Sequence, residues 1–239
     1  MRFALGVRFQ NEAQWLALHL PIMREAVDGI VAIDGGSEDG GADVIRALGG
    51  QVQDVPFAWD FGAQANALVC FAEACGFDVL LRLDPDEVMF RSDIAKMRVH
   101  FEAGFDAVST ASHHFCRDRF HYCPQFEPDR HYRAFRLFRG FHYVNRLHET
   151  PVLHGARRLR SDLPVFHYGL LEDRDTRRLQ YANYGRIAQG LQPLPALTED
   201  CPEWDYPPHV PFEGEQPLDP HEIGARAPLE QPCPTQEPC

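Results

Sequence analysis

The chain has 239 residues, 44% of them hydrophobic, with 23 basic and 35 acidic side chains and a formal charge of −12. That length can bury a substantial core and that composition excludes a wholly disordered chain. The acidic total excludes general nucleic-acid binding by charge, and no apolar run approaches the roughly 20 residues of a membrane span.

The opening segment "MRFALGVRFQNEA" has an apolar patch broken by Arg8 and no small-residue cleavage site. It therefore does not read as a signal peptide, and the expected address is the cytoplasm. Residues 2–9 form a β-rich run, and Asn11 is placed to cap a helix that begins at Glu12 and carries Trp15, Leu16, Leu18 and Leu20. Pro21 should bend or restart that helix. "GIVAID" (29–34) reads as a buried strand running into the loop "GGSEDGG", followed by a short helix over 42–49 closed by Gly49 and Gly50. A third strand (51–55), a helix with an apolar face (61–76) and a fourth strand in "DVLLRLDPDEVMF" (78–90) complete a β–α alternation. Such alternation implies a mostly parallel sheet with helices on both faces, whose ligands sit beyond the carboxyl ends of the strands.

After a helix near 92–103 the pattern shifts to longer β-like runs at 106–115, 131–139 and 163–169, and a last helix covers 174–189. From Gly190 onward lie 12 of the 19 prolines, and periodicity is lost, so an extended tail that wraps the domain or moves is expected. Charge is uneven. Residues 117–160 hold ten arginines against four acids, and residues 190–239 hold ten acids against Arg226.

Seven cysteines occur at irregular spacings without a CxxC pair, which favours reduced thiols. The group His113, His114, Cys116, His121 and Cys123 fits no usual zinc spacing and reads as alternating strand residues.

Two motifs carry chemistry. "IDGGSEDGG" has neither the Gly-Lys-Ser/Thr of a P-loop nor GxGxxG order. It leaves Asp34 at a strand end, with Asp39 either facing a ligand or capping the next helix. In the fourth strand, Asp84, Asp86 and Glu87 follow a buried run directly. They form either a solvated turn or a site for Mg²⁺ or Mn²⁺, which take oxygen ligands and leave positions for water and phosphate.

"VRFQNEAQWLALHL", "VAIDGGSEDGG", "PFAWDFGAQAN" and "LLRLDPDE", in this order, resemble family 2 glycosyltransferases of the GT-A fold. The likeness is to the bacterial subgroup with "NE", "DxGSxD" and "LDxDE" signatures, and "RLHET" and "FHY" resemble its later "HE" and "HY" signatures. The resemblance spans roughly residues 3–170.

It implies an α/β, Rossmann-like GT-A domain over 1–189, with a nucleotide-sugar-binding half (1–104) and a β-rich acceptor half (105–189), followed by the Pro-rich acidic tail at 190–239. It also implies a nucleoside-diphosphate sugar donor, UDP-linked by family habit, and Mn²⁺ or Mg²⁺. Carried over by position, Asp34 would contact base or ribose, Glu12 and Asp39 would shape that pocket, and Asp84 would approach ribose and metal. Asp86 and His167 would ligate the metal, Glu149 would be the catalytic base, and Arg136 would lie near the diphosphate or acceptor. Gly35 and Ala65 depart from the family's second Asp and its Arg.

Each role has a plainer counterpart: Glu149 as an arginine partner, His167 as a core histidine. The arginine-rich segment suits an anionic acceptor bearing a hydroxyl: a glycan, a lipopolysaccharide core or a hydroxylated nucleic-acid base. A nucleotidyltransferase is disfavoured because only Arg8 follows the first strand and Lys96 is the single lysine. A binding module without turnover is the remaining alternative.

Overall fold

A computed structural model describes residues 1–217 except 128, 138–139, 172–173, 200 and 203–206. The first half runs β1 (Phe3–Phe9), α1 (Ala13–Met23), β2 (Gly29–Asp34), α2 (Gly41–Ala47), β3 (Gln51–Asp54), α3 (Phe61–Ala74), β4 (Val79–Arg82), β5 (Glu87–Val88) and α4 (Arg91–Glu102). The second half runs β6 (Ala107–Cys116), β7 (His121–Tyr122), β8 (Asp129–Arg136), β9 (His142–Val144), β10 (Thr150–Val152), β11 (Arg158–Leu159), β12 (Pro164–Leu170), α5 (Arg174–Ala188) and β13 (Val210–Pro211).

Strands β3, β2, β1 and β4 lie side by side and all parallel, as the β–α alternation requires. Beyond β4 the sheet continues with β8 and β6, each antiparallel to its neighbour. The register of β12 on β6 is parallel, and β5 closes antiparallel on β12. Thus the first half is parallel and the second half mixed.

Alternation along β1 builds the two layers. Phe3, Leu5, Val7 and Phe9 join Leu16 of α1, Ile45 of α2 and Met97 of α4 in one buried cluster. Ala4 faces the other way, with Ala65 and Leu68 of α3 and Val31 and Ile33 of β2. Gly6 lies on that second face, where a Cβ would collide with Leu80 and sit 3.1 Å from Leu68, so a small residue lets α3 approach. Helices therefore cover both faces. Each fully buried Leu, Ile or Phe contributes about 1.5–3 kcal/mol of transfer free energy.

Asn11 does not cap α1. It takes a left-handed conformation (φ 58°), and its side chain accepts from the Glu38 amide instead. Asp39 from the next loop accepts the Ala13 amide at 2.6 Å and the Gly41 amide at 3.0 Å, so one carboxylate serves the starts of both α1 and α2.

Cys116 and Cys123 form a disulfide, against the expectation of reduced thiols. The end of β6 and the entry to the loop after β7 bring their Cα atoms to 6.4 Å, within bridging distance. Cys70, Cys75 and Cys201 are free, while Cys233 and Cys239 lie outside the described residues.

Part of the Pro-rich segment packs on the second half. Val210 and Pro211 pair with β7, Phe212 stacks edge-on against Phe115 and Tyr122, and Gln216 Oε1 accepts from the Tyr168 hydroxyl at 2.8 Å. Among the described residues no helix is long and apolar enough to cross a membrane.

Candidate active site

A cleft of about 1720 Å³ opens beyond the carboxyl ends of the parallel strands. Arg8 reaches it from the end of β1, because even-numbered positions of that strand face α3; its guanidinium donates to the Phe61 carbonyl at 2.7 Å. Arg82 and the Asp84-Pro85-Asp86 turn come from the end of β4. Glu87 opens β5 and lies opposite His167 on β12, which in turn lies beside His114 on β6. One strand further, Ser112 of β6 pairs with Asp129 of β8. Strand register thus assembles groups from six strands on one wall.

Three guanidinium groups meet three carboxylates there. Glu149 Oε1 accepts from Arg8 at 2.7 Å and from Arg82. Asp84 is approached by Arg8 at 3.3 Å, by Arg133 at 3.4 Å and by Arg82 at 3.8 Å. Glu87 accepts from Arg133 and, at 2.9 Å, from the Asp84 amide. Burial opposes charge on Asp84, but Arg82, Arg133 and Arg8 outweigh it and hold the carboxyl far below the usual range. Glu149 is likewise held low, with Arg8 and Arg82 overcoming its burial. For Glu87 burial prevails and its pKa is raised despite Arg133. The triplet after β4 is therefore no solvated turn.

Asp86 stands apart from this cluster. Its Oδ2 lies 3.2 Å from His167 Nε2. Burial opposes ionisation of both groups, yet each favours the other's charge, so Asp86 is lowered and His167 raised. Gly169 supplies the room, since a Cβ there would overlap Asp86 Oδ2 and lie 2.8 Å from His167 Nε2. A carboxylate oxygen and an imidazole nitrogen at this spacing fit two adjacent ligands of one divalent cation, leaving other positions to diphosphate and water. Among the described residues no group of three or more His, Cys, Asp or Glu side chains is arranged for a metal.

The turn is fixed from below. His19 Nδ1 lies 2.7 Å from the Pro85 carbonyl oxygen, with the ring packed between Trp15 and Tyr168. Burial pushes the His19 pKa down to about 4. Because the folded value lies below the unfolded value near 6.5, its stability contribution is full above pH 6.5 and declines as pH falls towards 4. The loss amounts to about 3 kcal/mol. Urea unfolding from pH 7 to 4 should show this decline, and His19→Gln should flatten it.

The profile of glycosyl transferase family 2 matches residues 11–163. The chain belongs to this glycosyltransferase family. This family 2 chain resembles several solved structures in part. The 1–349 segment of S. aureus TarS in complex with UDP shares 13% identity at a TM-score of 0.42, over 48% of this chain and 36% of that one. Glucosyl-3-phosphoglycerate synthase from Mycobacterium tuberculosis, in complex with Mn²⁺ and UDP-glucose, shares 17% identity at a TM-score of 0.39, over 46% and 43%. The family 2 chain thus spans less than half the length of these neighbours. No curated protein sequence matches it.

Of the eight residues singled out in the sequence, Glu12, Asp84, Asp86, Glu149 and His167 line the cleft of this family 2 chain. Asp34, Asp39 and Arg136 do not. Asp34 Oδ1 turns into its own loop to accept the Gly36 and Ser37 amides at 2.9 and 2.8 Å. Asp39 serves the two helix starts. Arg136 pairs in register with Val79 at the far end of β4 and contacts Asp106 and the Phe101 carbonyl, away from the cleft rather than near a diphosphate or acceptor bound in it. Arg133, three residues earlier, lines the cleft instead.

The two family departures have packing reasons. A Cβ on Gly35 would sit 3.1–3.2 Å from Phe57, Gln10 and the Phe9 carbonyl, and Ala65 is fully buried on the face of α3 that packs against the sheet. Sequence reading passed over Arg82 and Asp129. Arg82 does leave a trace: an arginine inside "LLRL", in a strand otherwise buried, needs a buried partner.

Proposed function

We propose that this chain transfers a sugar from a nucleoside-diphosphate sugar, UDP-linked, to an acceptor hydroxyl with inversion at the anomeric carbon. The observation that carries the reading is the Asp86–His167 pair, set 3.2 Å apart in a cleft beyond the parallel strands. When bound, Mn²⁺ or Mg²⁺ would neutralise charge gathering on the departing diphosphate. Asp86 and His167 would hold it, with Asp84 close by towards the ribose. Glu12 shapes the neighbouring wall.

Glu149 is the base in this reading. Arg8 and Arg82 keep it ionised, the form that accepts a proton, but also lower its proton affinity. Transfer then requires substrate binding to loosen one of these contacts. The same pairing is the observation that favours a second reading, a donor-binding module without turnover. Arg130, His131 and Arg158 on the strands of the second half and Arg177 on α5 line the cleft and suit an anionic acceptor.

The test is thermal unfolding with a panel of nucleoside diphosphates, with and without Mn²⁺. A nucleotide at 100 times its Kd should stabilise the protein by about 2.7 kcal/mol, only with metal, and Asp86→Asn should abolish that response. If no nucleotide shifts the protein under any metal, the transferase reading fails.

A further inference from the structure

Hydrogen-bond direction orders a row of side chains behind His167. Asp129 Oδ2 lies 2.6 Å from His114 Nε2, and His114 Nδ1 lies 2.8 Å from His167 Nδ1. Asp129 Oδ1 is also 2.7 Å from His131 Nε2. A carboxylate only accepts, so His114 Nε2 carries the hydrogen that points at Asp129. By the same rule His167 Nε2 presents a hydrogen to Asp86 Oδ2, and a divalent cation bound there would take that hydrogen's place. Of the two facing Nδ1 atoms one donates and the other accepts; with a cation on His167 Nε2, the hydrogen of that ring sits on Nδ1, which then donates to His114 Nδ1.

An imidazole nitrogen and a carboxylate oxygen 3.2 Å apart can share one divalent cation as adjacent ligands. The His114 ring is held edge-on to His167 at 4.8 Å between centroids and packs on Phe126. The sheet sets all of this. His114 and His167 are register partners on adjacent parallel strands, and Asp129 starts the strand on the other side of β6.

We infer that Asp129 and His114 are positioning residues that fix the tautomer and ring orientation of His167, so that Nε2 presents its lone pair to a divalent cation shared with Asp86. This rests on the metal reading of the Asp86–His167 pair given above. Neither residue touches the cation itself. Backing groups of this kind raise ligand basicity and remove the freedom to rotate, and their loss lowers metal affinity by about 10–100-fold. A site with two protein ligands depends on each ligand's orientation more than a closed four-ligand cage does.

The experiment titrates Mn²⁺ against the protein in the presence of UDP, following the free aqueous ion by electron paramagnetic resonance. His114→Leu removes both hydrogen bonds. His114→Gln keeps an acceptor towards His167 and a donor towards Asp129. The Leu variant should bind Mn²⁺ at least about tenfold more weakly, and the Gln variant should return to within about threefold of wild type. Wild-type-like affinity in the Leu variant overturns the relay while leaving the metal site standing. Equal losses in Leu and Gln variants, with native near-UV circular dichroism, also overturn it, because packing alone would then explain the effect. A wild type that takes up no Mn²⁺ with UDP overturns the relay and the metal reading together.

Discussion

Replacing Gly169 with alanine is expected to lower sugar-transfer turnover by about 100-fold, with unfolding free energy changed by no more than about 1 kcal/mol. The added methyl would overlap Asp86 Oδ2 and crowd His167 Nε2. Both are side-chain ends, so they swing aside at little cost to the fold. The Asp86–His167 spacing does not survive that movement, and a displacement of about 1 Å at reacting groups costs about 100-fold in rate. Gly169 is not among the positive-φ glycines, so its backbone accepts alanine without strain. Donor hydrolysis kinetics and urea unfolding would measure the two effects. Gly185→Ala is the control, because no atom lies within 4 Å of a Cβ there. Equal turnover in both variants would remove the pair from the mechanism.

The second large effect is on stability. Arg82→Met should destabilise the protein by about 3–5 kcal/mol, the range for stripping one partner from a buried ion pair. Arg8, Arg82 and Arg133 balance Asp84, Glu87 and Glu149 in a cluster where Arg82 and Glu149 are each only 10% exposed. Removing one guanidinium leaves Glu149 with Arg8 alone and an uncompensated negative charge. The double variant Arg82→Met, Glu149→Gln should recover part of the loss, since both halves of that contact are then neutral. Denaturant unfolding of the four species closes the cycle. An additive double variant would show that the two side chains do not interact.

Much of the first half was legible locally. The strand at 29–34 and the helix expected over 61–76 emerge from apolar periodicity; the helix runs Phe61–Ala74, and the structure adds Asp60 as its cap, accepting the Ala63 amide at 2.8 Å. The position of "DPDE" after a buried run correctly placed three carboxylates at a strand end. The helix start at Ala13 was misread because Asn11 is a good cap by residue type, whereas its amide and side chain are bound by Ser37 and Glu38 of a different loop. Strands of two or three residues, such as β5, β9 and β10, carry too few positions for any alternation to show.

Arg136 illustrates the limit on site residues. Its neighbour Arg133 has the same chemistry three positions away, and only the register of β8 on β4 sends one to the cleft and the other to Asp106. Asp34 illustrates another, because a strand-end carboxylate can face a ligand or its own turn, and here it accepts two amides of that turn.

The sequence by itself determined the α/β order and the family, because periodicity and turn chemistry operate between near neighbours. The tertiary structure decided which acids are neutralised and which face the cleft with a histidine. Arg8 and Glu149 are 141 residues apart, and His114 and His167 are 53 apart, yet both contacts are made directly. Such contacts are set by strand register across the sheet, a relation no local pattern contains, and the low dielectric around them then fixes each group's charge.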